Sequence, residues 1–440
     1  MNGIRTKIVL FIGMMVCLWA CKGSDGDKLV DALPPMYPDY PNVTLPVNIA
    51  PLNFLLRTST ERVEVRLRGK SGESTFIGSN GKIQFPEKEW HALLQRECGG
   101  KIEVSVRAQQ GDDWLRYKAF MWQIVPEQLD TYIVYRQISP EGENRHVELC
   151  EREVGNFHER KIMQEETDGV MPHLSVNTLY NMTDARSNNV MALWMPERAM
   201  TTSSDCLWEY FGTQSRLCAI NRENGQSRIL ADTLSGQTVR AFPALSADGR
   251  SLYYSEAPAA VRDSLDAWCF SIYHRKFNSQ NLTWADAVDT VYYSDTVKVS
   301  AVELSLSPDG RYLLFATTAY GLPSSGHRDS DLRLLHLDSG RLDSLEIVNT
   351  EAAEGQPSWT SDSHWFVFMS KKGDGLYGKP YFCYVDSAGV AHKPFMLPQR
   401  DPARYDYMLE SLENPMMVSR PMESDAFRKT NEIINENTEP

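Results

Sequence analysis

Three aspartates, Asp248, Asp309 and Asp362, recur in one local context at intervals of 61 and 53 residues. Carboxylates that converge on a common pocket can divide the roles of general acid and general base. Each of these, however, stands in a polar turn between apolar runs: Ser246-Ala247-Asp248-Gly249, Ser307-Pro308-Asp309-Gly310 and Thr360-Ser361-Asp362. Pro308 presets the second position of a tight turn, Asp309 can bond to the main chain ahead of it, and Gly249 and Gly310 tolerate a positive φ. Turn formation is therefore the stronger reading for all three aspartates, and catalysis the weaker. The nine histidines are scattered, with no H-E-x-x-H or other zinc spacing. His336 and His364 fall in or beside expected strands, where a hydrogen-bonded structural imidazole is the better reading. No G-x-S-x-G elbow, Walker loop or dinucleotide fingerprint is present.

The thiols offer a different chemistry. Arg5 and Lys7 precede an apolar run from Ile8 to Ala20, too short for a comfortable membrane span and shaped like a secretory signal. Its end, Leu18-Trp19-Ala20-Cys21, resembles a bacterial lipobox. That resemblance implies lipidation of Cys21 by a diacylglyceryl group and removal of residues 1–20; an ordinary signal that contains Cys21 is the weaker alternative. At about 0.8 kcal/mol per buried methylene, several acyl chains make a stable membrane anchor. Cys98, Cys150, Cys206, Cys218, Cys269 and Cys383 then remain in a compartment that permits disulfides. Cys206 and Cys218 flank one hairpin, where a bridge would stabilise by roughly 3 kcal/mol. Six buried free thiols are an equal alternative, since Cys150, Cys218, Cys269 and Cys383 fall at similar strand positions.

The elements that carry these residues repeat. Leu304 to Leu306 leads through the Pro308 turn into Tyr312 to Thr317, a strand apolar at successive positions and so expected to be buried on both faces. The same pattern enters Leu252-Tyr253-Tyr254 and Trp365 to Ser370, and a weaker copy without the glycine joins Met182-Thr183-Asp184 to Val190–Trp194. Each copy is followed by two further strands around a polar turn, at Glu223–Gly225, Asp338–Gly340 and Asp386–Gly389. Four strands per repeat is the blade of a β-propeller. The S-P-D-G-[RK] turn entering an apolar strand resembles the WD40-like repeats of TolB. Blades are expected near 131–163, 172–230, 241–295, 301–347 and 357–397, giving five, although the span could hold six at about 45 residues each. Loops 197–205 and 318–331 read as insertions of the kind that form binding surfaces.

Ahead of the propeller, Val47 to Leu56, Arg62 to Arg68, Ser74 to Ile77, Lys101 to Arg107 and Trp114 to Val125 read as short strands, with turns at Asn80-Gly81 and Gly99-Gly100. With one helix from Pro86 to Leu94, they suggest an immunoglobulin-like β-sandwich. The run Thr44 to Phe54, with Tyr132–Arg136 and Pro394–Pro402, resembles a group of TolB-like lipoproteins of Bacteroidetes in which such a sandwich precedes the propeller. The expected organisation is a signal at 1–20, a lipidated cysteine and flexible, proline-rich linker at 21–41, a sandwich at 42–127, a propeller at 128–422 and a disordered tail at 423–440. The proline-stiffened part from Leu33 to Pro41 is either a linker or a strap lying on the fold. Asp401 to Glu413 reads as a helix with Tyr405, Met408, Leu409 and Leu412 on one apolar side, and Pro415–Val418 as a strand that completes blade 1 and closes the ring.

A formal charge of -13 argues against nucleic acid, which needs clustered Lys and Arg. Some relatives in the lipoprotein group that the chain resembles carry a C-x-x-C-H haem motif just after the first blade. The matching stretch here, Gly169–Leu174, keeps only His173, so c-type haem is excluded and no cofactor or metal is expected. Asp25 and Asp27 only weakly match the surface-export signal of that group. The reading is a non-enzymatic, lipid-anchored outer-membrane protein, on the periplasmic or cell-surface side, that binds an envelope protein, peptidoglycan or glycan. The alternative is a propeller enzyme acting on glycans or peptides. Burial of Tyr254, Trp359 and Trp365 without an acidic pair in a common pocket would weaken that alternative.

Overall fold

The computed structural model describes residues 27–139, 146–164, 183–185, 190–196, 215–221, 223–232, 238–258, 269–319 and 324–422. The signal-like segment, Cys21, Cys206, the 197–205 loop and the 423–440 tail lie outside the described residues. What is described is an N-terminal β domain followed by a β-propeller.

In the N-terminal domain, alternation sets the faces. Val63, Val65 and Leu67 of strand Arg62–Gly69 point inward between outward Arg62, Arg66 and Arg68, and Ile102, Val104, Val106 and Ala108 do the same along Lys101–Gln110. The sandwich takes the form of one ten-stranded sheet, continuous through its hydrogen bonds. Helix α1 (Glu87–Glu97) follows Pro86 and buries Trp90, Leu93, Leu94 and Glu97, the spacing of one helical face. Trp90 meets Trp122 edge-on at 5.7 Å.

Three sequence expectations need correction here. Val47 to Leu56 is not one strand: prolines at 46 and 51 confine pairing to Thr44–Pro46 and Phe54–Leu56. Trp114 to Val125 divides into Asp113–Tyr117 and Phe120–Val125, which pair with successive stretches of one edge of Lys101–Gln110. The expected linker is tied down from Asp27 onward. Lys28–Val30 adds a parallel strand beside Leu115–Tyr117, Asp27 pairs with Arg107 and Arg116, and Tyr40 is fully buried with its hydroxyl donating to Met396 O.

The described residues of the propeller form five sheets. Numbered in chain order and read outward from the innermost strand, blade 2 is Thr183–Ala185, Val190–Pro196, Ser215–Asn221 and Ser227–Asp232. Blade 3 is Thr238–Leu245, Ser251–Pro258, Ser271–Asn278 and Asp289–Tyr292, with the short Thr283–Trp284 beside it. Blade 4 is Ser300–Leu306, Tyr312–Thr318, Asp331–His336 and Leu342–Asp343. Blade 5 is Glu354–Trp359, Trp365–Ser370, Lys379–Tyr384 and Phe395–Met396. Tyr312–Thr318 and Trp365–Ser370 are buried at every position, as apolar strands between packed blades must be.

Blade 1 is assembled from both ends of the propeller. Tyr132–Ser139, His146–Glu153 and Glu159–Gln164 supply three strands, and Ser411–Val418 is the innermost, antiparallel to Tyr132–Ser139 from Ser411↔Ile138 to Val418↔Tyr132. The long helix expected over 401–413 is absent. Only Arg404–Tyr407 makes a helical turn, because pairing with blade 1 claims the chain from Ser411; Leu409, expected on the apolar side, is 59% exposed.

One apolar core runs through both domains, from Val63 and Trp122 to Phe315 and Trp365. Polar bonds cross the junction as well: Asn53 Nδ2 donates to the carbonyls of Gln399 and Arg400 while its Oδ1 accepts from Phe85 N, Trp365 Nε1 donates to Glu127 O, and Arg57 grips Asp406 with both terminal nitrogens at 2.6 and 2.8 Å. No helix among the described residues is long and apolar enough to cross a membrane.

Candidate functional site

The recurrent aspartates are spent on their own turns. Asp309 Oδ1 accepts from Ser307 Oγ at 2.6 Å and Arg311 N at 3.0 Å; Asp248 does the same with Ser246 and Arg250, and Asp362 with Thr360 and His364. Gly249 and Gly310 take φ of 68° and 72°, where a side chain would strain the turn, and Ser363 occupies the same conformation at 65°. Pro308 precedes Asp309 in the tightest copy, whose Asp309 N donates to Ser363 Oγ of the next turn. The three aspartates thus sit in separate turns, not in a shared pocket.

Tyr254, Trp359 and Trp365 are buried. His336 bonds to Asp343 and Arg341, and His364 Nδ1 lies 3.3 Å from Val385 O. Cys150, Cys218 and Cys383 occupy the third strand of blades 1, 2 and 5, all buried, and Cys269 precedes the third strand of blade 3. Burial pushes the Cys150 and Cys383 thiols up, away from the reactive thiolate. With Cys206 outside the described residues, a Cys206–Cys218 bridge stays an expectation. No group of three His, Cys, Asp or Glu among the described residues converges as metal ligands would.

A second repeated feature escaped the sequence reading. The innermost strands of blades 3, 4, 5 and 1 each carry a β-bulge whose first residue has a left-handed backbone: Phe242 at φ 50°, Glu303 at 57°, Gln356 at 56° and Asn414 at 51°. Each bulge faces a fully buried ring on the neighbouring strand: Tyr254, Phe315, Phe368 and Tyr135. Left-handed backbone at a non-glycine residue costs about 1–2 kcal/mol, and bonds between blades offset it. Glu303 Oε2 accepts from Gln356 N at 2.7 Å, and Gln356 Oε1 accepts from Asn414 N at 2.7 Å, linking blade 4 to 5 and 5 to 1. The signal was present: Phe242, Glu303 and Gln356 each stand six residues before the turn aspartate, two of them ahead of a proline.

Glu303 is the most perturbed acid of this network. Burial pushes its carboxyl up to about 7, against the bonds from Ser324 and Gln356, with the Glu413 charge adding to the rise. Ser324 Oγ reaches it at 2.6 Å from the 318–331 loop. In the described part of that loop Ser324, His327 and Ser330 are buried, with Ser330 Oγ donating to Glu354 O, while Gly326, Arg328 and Asp329 are exposed. Gly355 lies so close that a Cβ there would collide with Ser324 Oγ. Glu354 is likewise raised by burial while accepting from Ser370 and Thr350. These acids are built into the seams between blades.

A cleft of about 520 Å³ lies elsewhere, where the N-terminal domain meets blade 1 and the segment after blade 5. Lys82, Arg152, Arg400 and Arg404 line it with Glu159 and Asp401. Arg152 is almost fully buried and bonds to Pro398 O, Gln399 Oε1 and Asn156 O. Phe157 carries the guanidinium groups of Arg152 and Arg400 at 5.3 and 5.2 Å from its centroid. Asp401 pairs with Lys82 at 3.0 Å; burial works to raise its carboxyl, but the Ala403 N–H and Lys82 outweigh it and hold it below the ordinary value. Glu159 accepts from the Tyr135 hydroxyl. Arg404, on the helical turn, has no ion pair or side-chain hydrogen bond among the described residues.

No family model matches the chain, and neither does any curated protein. Solved structures similar to it include TolB from Agrobacterium tumefaciens, 11% identical over 65% of this chain and 89% of that one with a TM-score of 0.25. A DUF4784 family protein from Bacteroides caccae is 8% identical over 81% and 83%, with a TM-score of 0.28. An oligogalacturonate lyase in complex with manganese is 11% identical over 67% and 73%, with a TM-score of 0.32. These similarities carry no argument about activity.

Proposed function

We propose that the protein is a lipid-anchored, non-enzymatic binding and scaffold component of the cell envelope. Cys21 ties it to the outer membrane, on the periplasmic or cell-surface side, and the folded part engages an envelope protein, peptidoglycan or glycan. One contrast supports binding over turnover. The buried carboxylates of blades 4 and 5 are engaged within the propeller, whereas Arg404 in the cleft is left without a partner among the described residues. A hydrolase that works through paired carboxylates needs acids whose pKa values are pushed apart within one pocket. Glu303 and Glu354, both raised by burial, are not among the residues lining the cleft, and the two acids that do line it, Glu159 and Asp401, are engaged by Tyr135 and by Lys82 and Ala403 N.

The test is fractionation of cells making the full chain, with labelled fatty acid, protease treatment of whole cells, and a pull-down from solubilised envelopes. The expected result is label on the wild type and none on Cys21→Ser, recovery with outer membranes, and a co-purifying envelope component. Unlabelled protein recovered only in the cytosol would overturn the anchor, and steady turnover of a glycan or peptide by the purified chain would overturn the binding role.

A further inference from the structure

We propose that the cleft between the N-terminal domain and blade 1 is a binding site for a small ligand carrying a carboxylate beside a ring, as an acidic saccharide does. This deepens the binding reading and rests on it for the use made of the ligand.

The lining holds four cations against two carboxylates, a local positive excess on a chain whose formal charge is -13. Such an excess attracts anions into a concave, partly desolvated site. Arg400 is held over Phe157, and its one ion pair among the described residues, to Glu87, is long at 3.5 Å with both side chains exposed. Pairs of that kind contribute little, so its charge is available to a ligand. Arg404 breaks no side-chain bond to a described residue in turning its planar fork onto a carboxylate, the geometry in which guanidinium groups bind such anions most strongly. Beside it, Tyr407 is 63% exposed and offers a ring face, the surface on which a sugar can stack its C–H groups.

The two acids select among anions. Glu159 and Asp401 offset much of the preference that the cationic lining gives a doubly charged phosphate over a singly charged carboxylate, and their oxygens can accept from the ring hydroxyls of an acidic sugar. At about 520 Å³ the cleft has the size of a site for one or two sugar rings.

The experiment is calorimetric titration of the purified full chain in detergent with D-glucuronate, D-glucose and inorganic phosphate. Saturable binding of glucuronate is expected, with glucose and phosphate at least tenfold weaker. Arg404→Ala should weaken glucuronate at least tenfold, and Arg404→Lys should restore part of the loss, since charge returns without the fork. Because the Arg404 side chain holds no bond among the described residues, the thermal unfolding midpoint of these variants should match the wild type. A measurement on the unaltered protein guards against misfolding: raising the salt to about 0.5 M should weaken glucuronate several-fold. Equal binding of glucose and glucuronate, tighter binding of phosphate, or salt-indifferent binding overturns the proposal. The anchor and pull-down results do not depend on any of these outcomes, so the two readings fail separately.

Discussion

Glu303 makes the seam between blades 4 and 5 sensitive to pH. Its carboxyl titrates near 7 in the folded chain, from burial first, against 4.5 as its ordinary value. Between those values the folded state holds a proton that the unfolded state has lost, so stability falls as pH rises from about 4.5 to about 7 and is flat beyond. Glu303→Gln should remove much of that slope, since the amide oxygen can still accept from Gln356 N and no charge is buried. Urea midpoints of the two proteins across that window would show it, and parallel slopes would contradict it. Asp309 has a different role and predicts a different result. Asp309→Ala should cost about 1–2 kcal/mol in chemical unfolding, with Asp309→Asn costing less, because the bonds from Ser307 and Arg311 need only an oxygen. A large loss of ligand binding in Asp309→Asn with unchanged stability would restore the aspartate to a functional role. The turn residues were legible in sequence because Pro, Asp and Gly act through their own backbones. The Glu303–Gln356–Asn414 relay was not read: the fixed spacing from the turn aspartate marks the bulge positions, but nothing local shows that their partners lie a blade away.

At the scale of elements, the blades were legible because two-sided burial forces an unbroken apolar run, as in Trp365–Ser370. The segment 401–413 misled because Tyr405, Met408 and Leu412 are all buried at spacings that suit a helix, yet they are reached by one turn and then a strand. Tertiary pairing overrode local periodicity. The N-terminal run around Pro46 and Pro51 misled for the converse reason: apolar content suggested a strand where missing N–H donors forbid a long one. Ser411–Val418 carries the prediction that belongs here. Met417→Ala, at a buried position, should cost about 2–5 kcal/mol by leaving a cavity. Truncation before Asn414 should do more, since it removes the pairing of Met416–Val418 and the bond to Gln356. Protease resistance of the truncated chain equal to that of the intact one would argue that blade 1 does not need this strand.

At the scale of the molecule, the apolar core shared across the junction predicts that the two domains unfold as one. Asn53→Ala removes both donors to the 399–400 carbonyls and the acceptor of Phe85 N, two of these bonds buried and the one to Arg400 O part-buried, and should cost about 3 kcal/mol. Calorimetry should show a single transition moved down intact. Two separated transitions would mean that the domains are only loosely joined. The pattern of strands and turns foretold two domains but not their union, because the contacts that join them, Asn53 to the 399–400 carbonyls and Arg57 to Asp406, link parts of the chain far apart in sequence.

The origin of the inner strand of blade 1 bears on how the protein is made. The ribosome releases three strands of that sheet long before the fourth, so throughout synthesis Tyr132–Ser139 shows an unpaired edge to its surroundings. Such an edge invites the tail of a second copy to take the vacant place. Exchanged dimers, in which each copy lends its last strand to the other, are the assembly error this topology favours, and they should accumulate when the protein is refolded at high concentration.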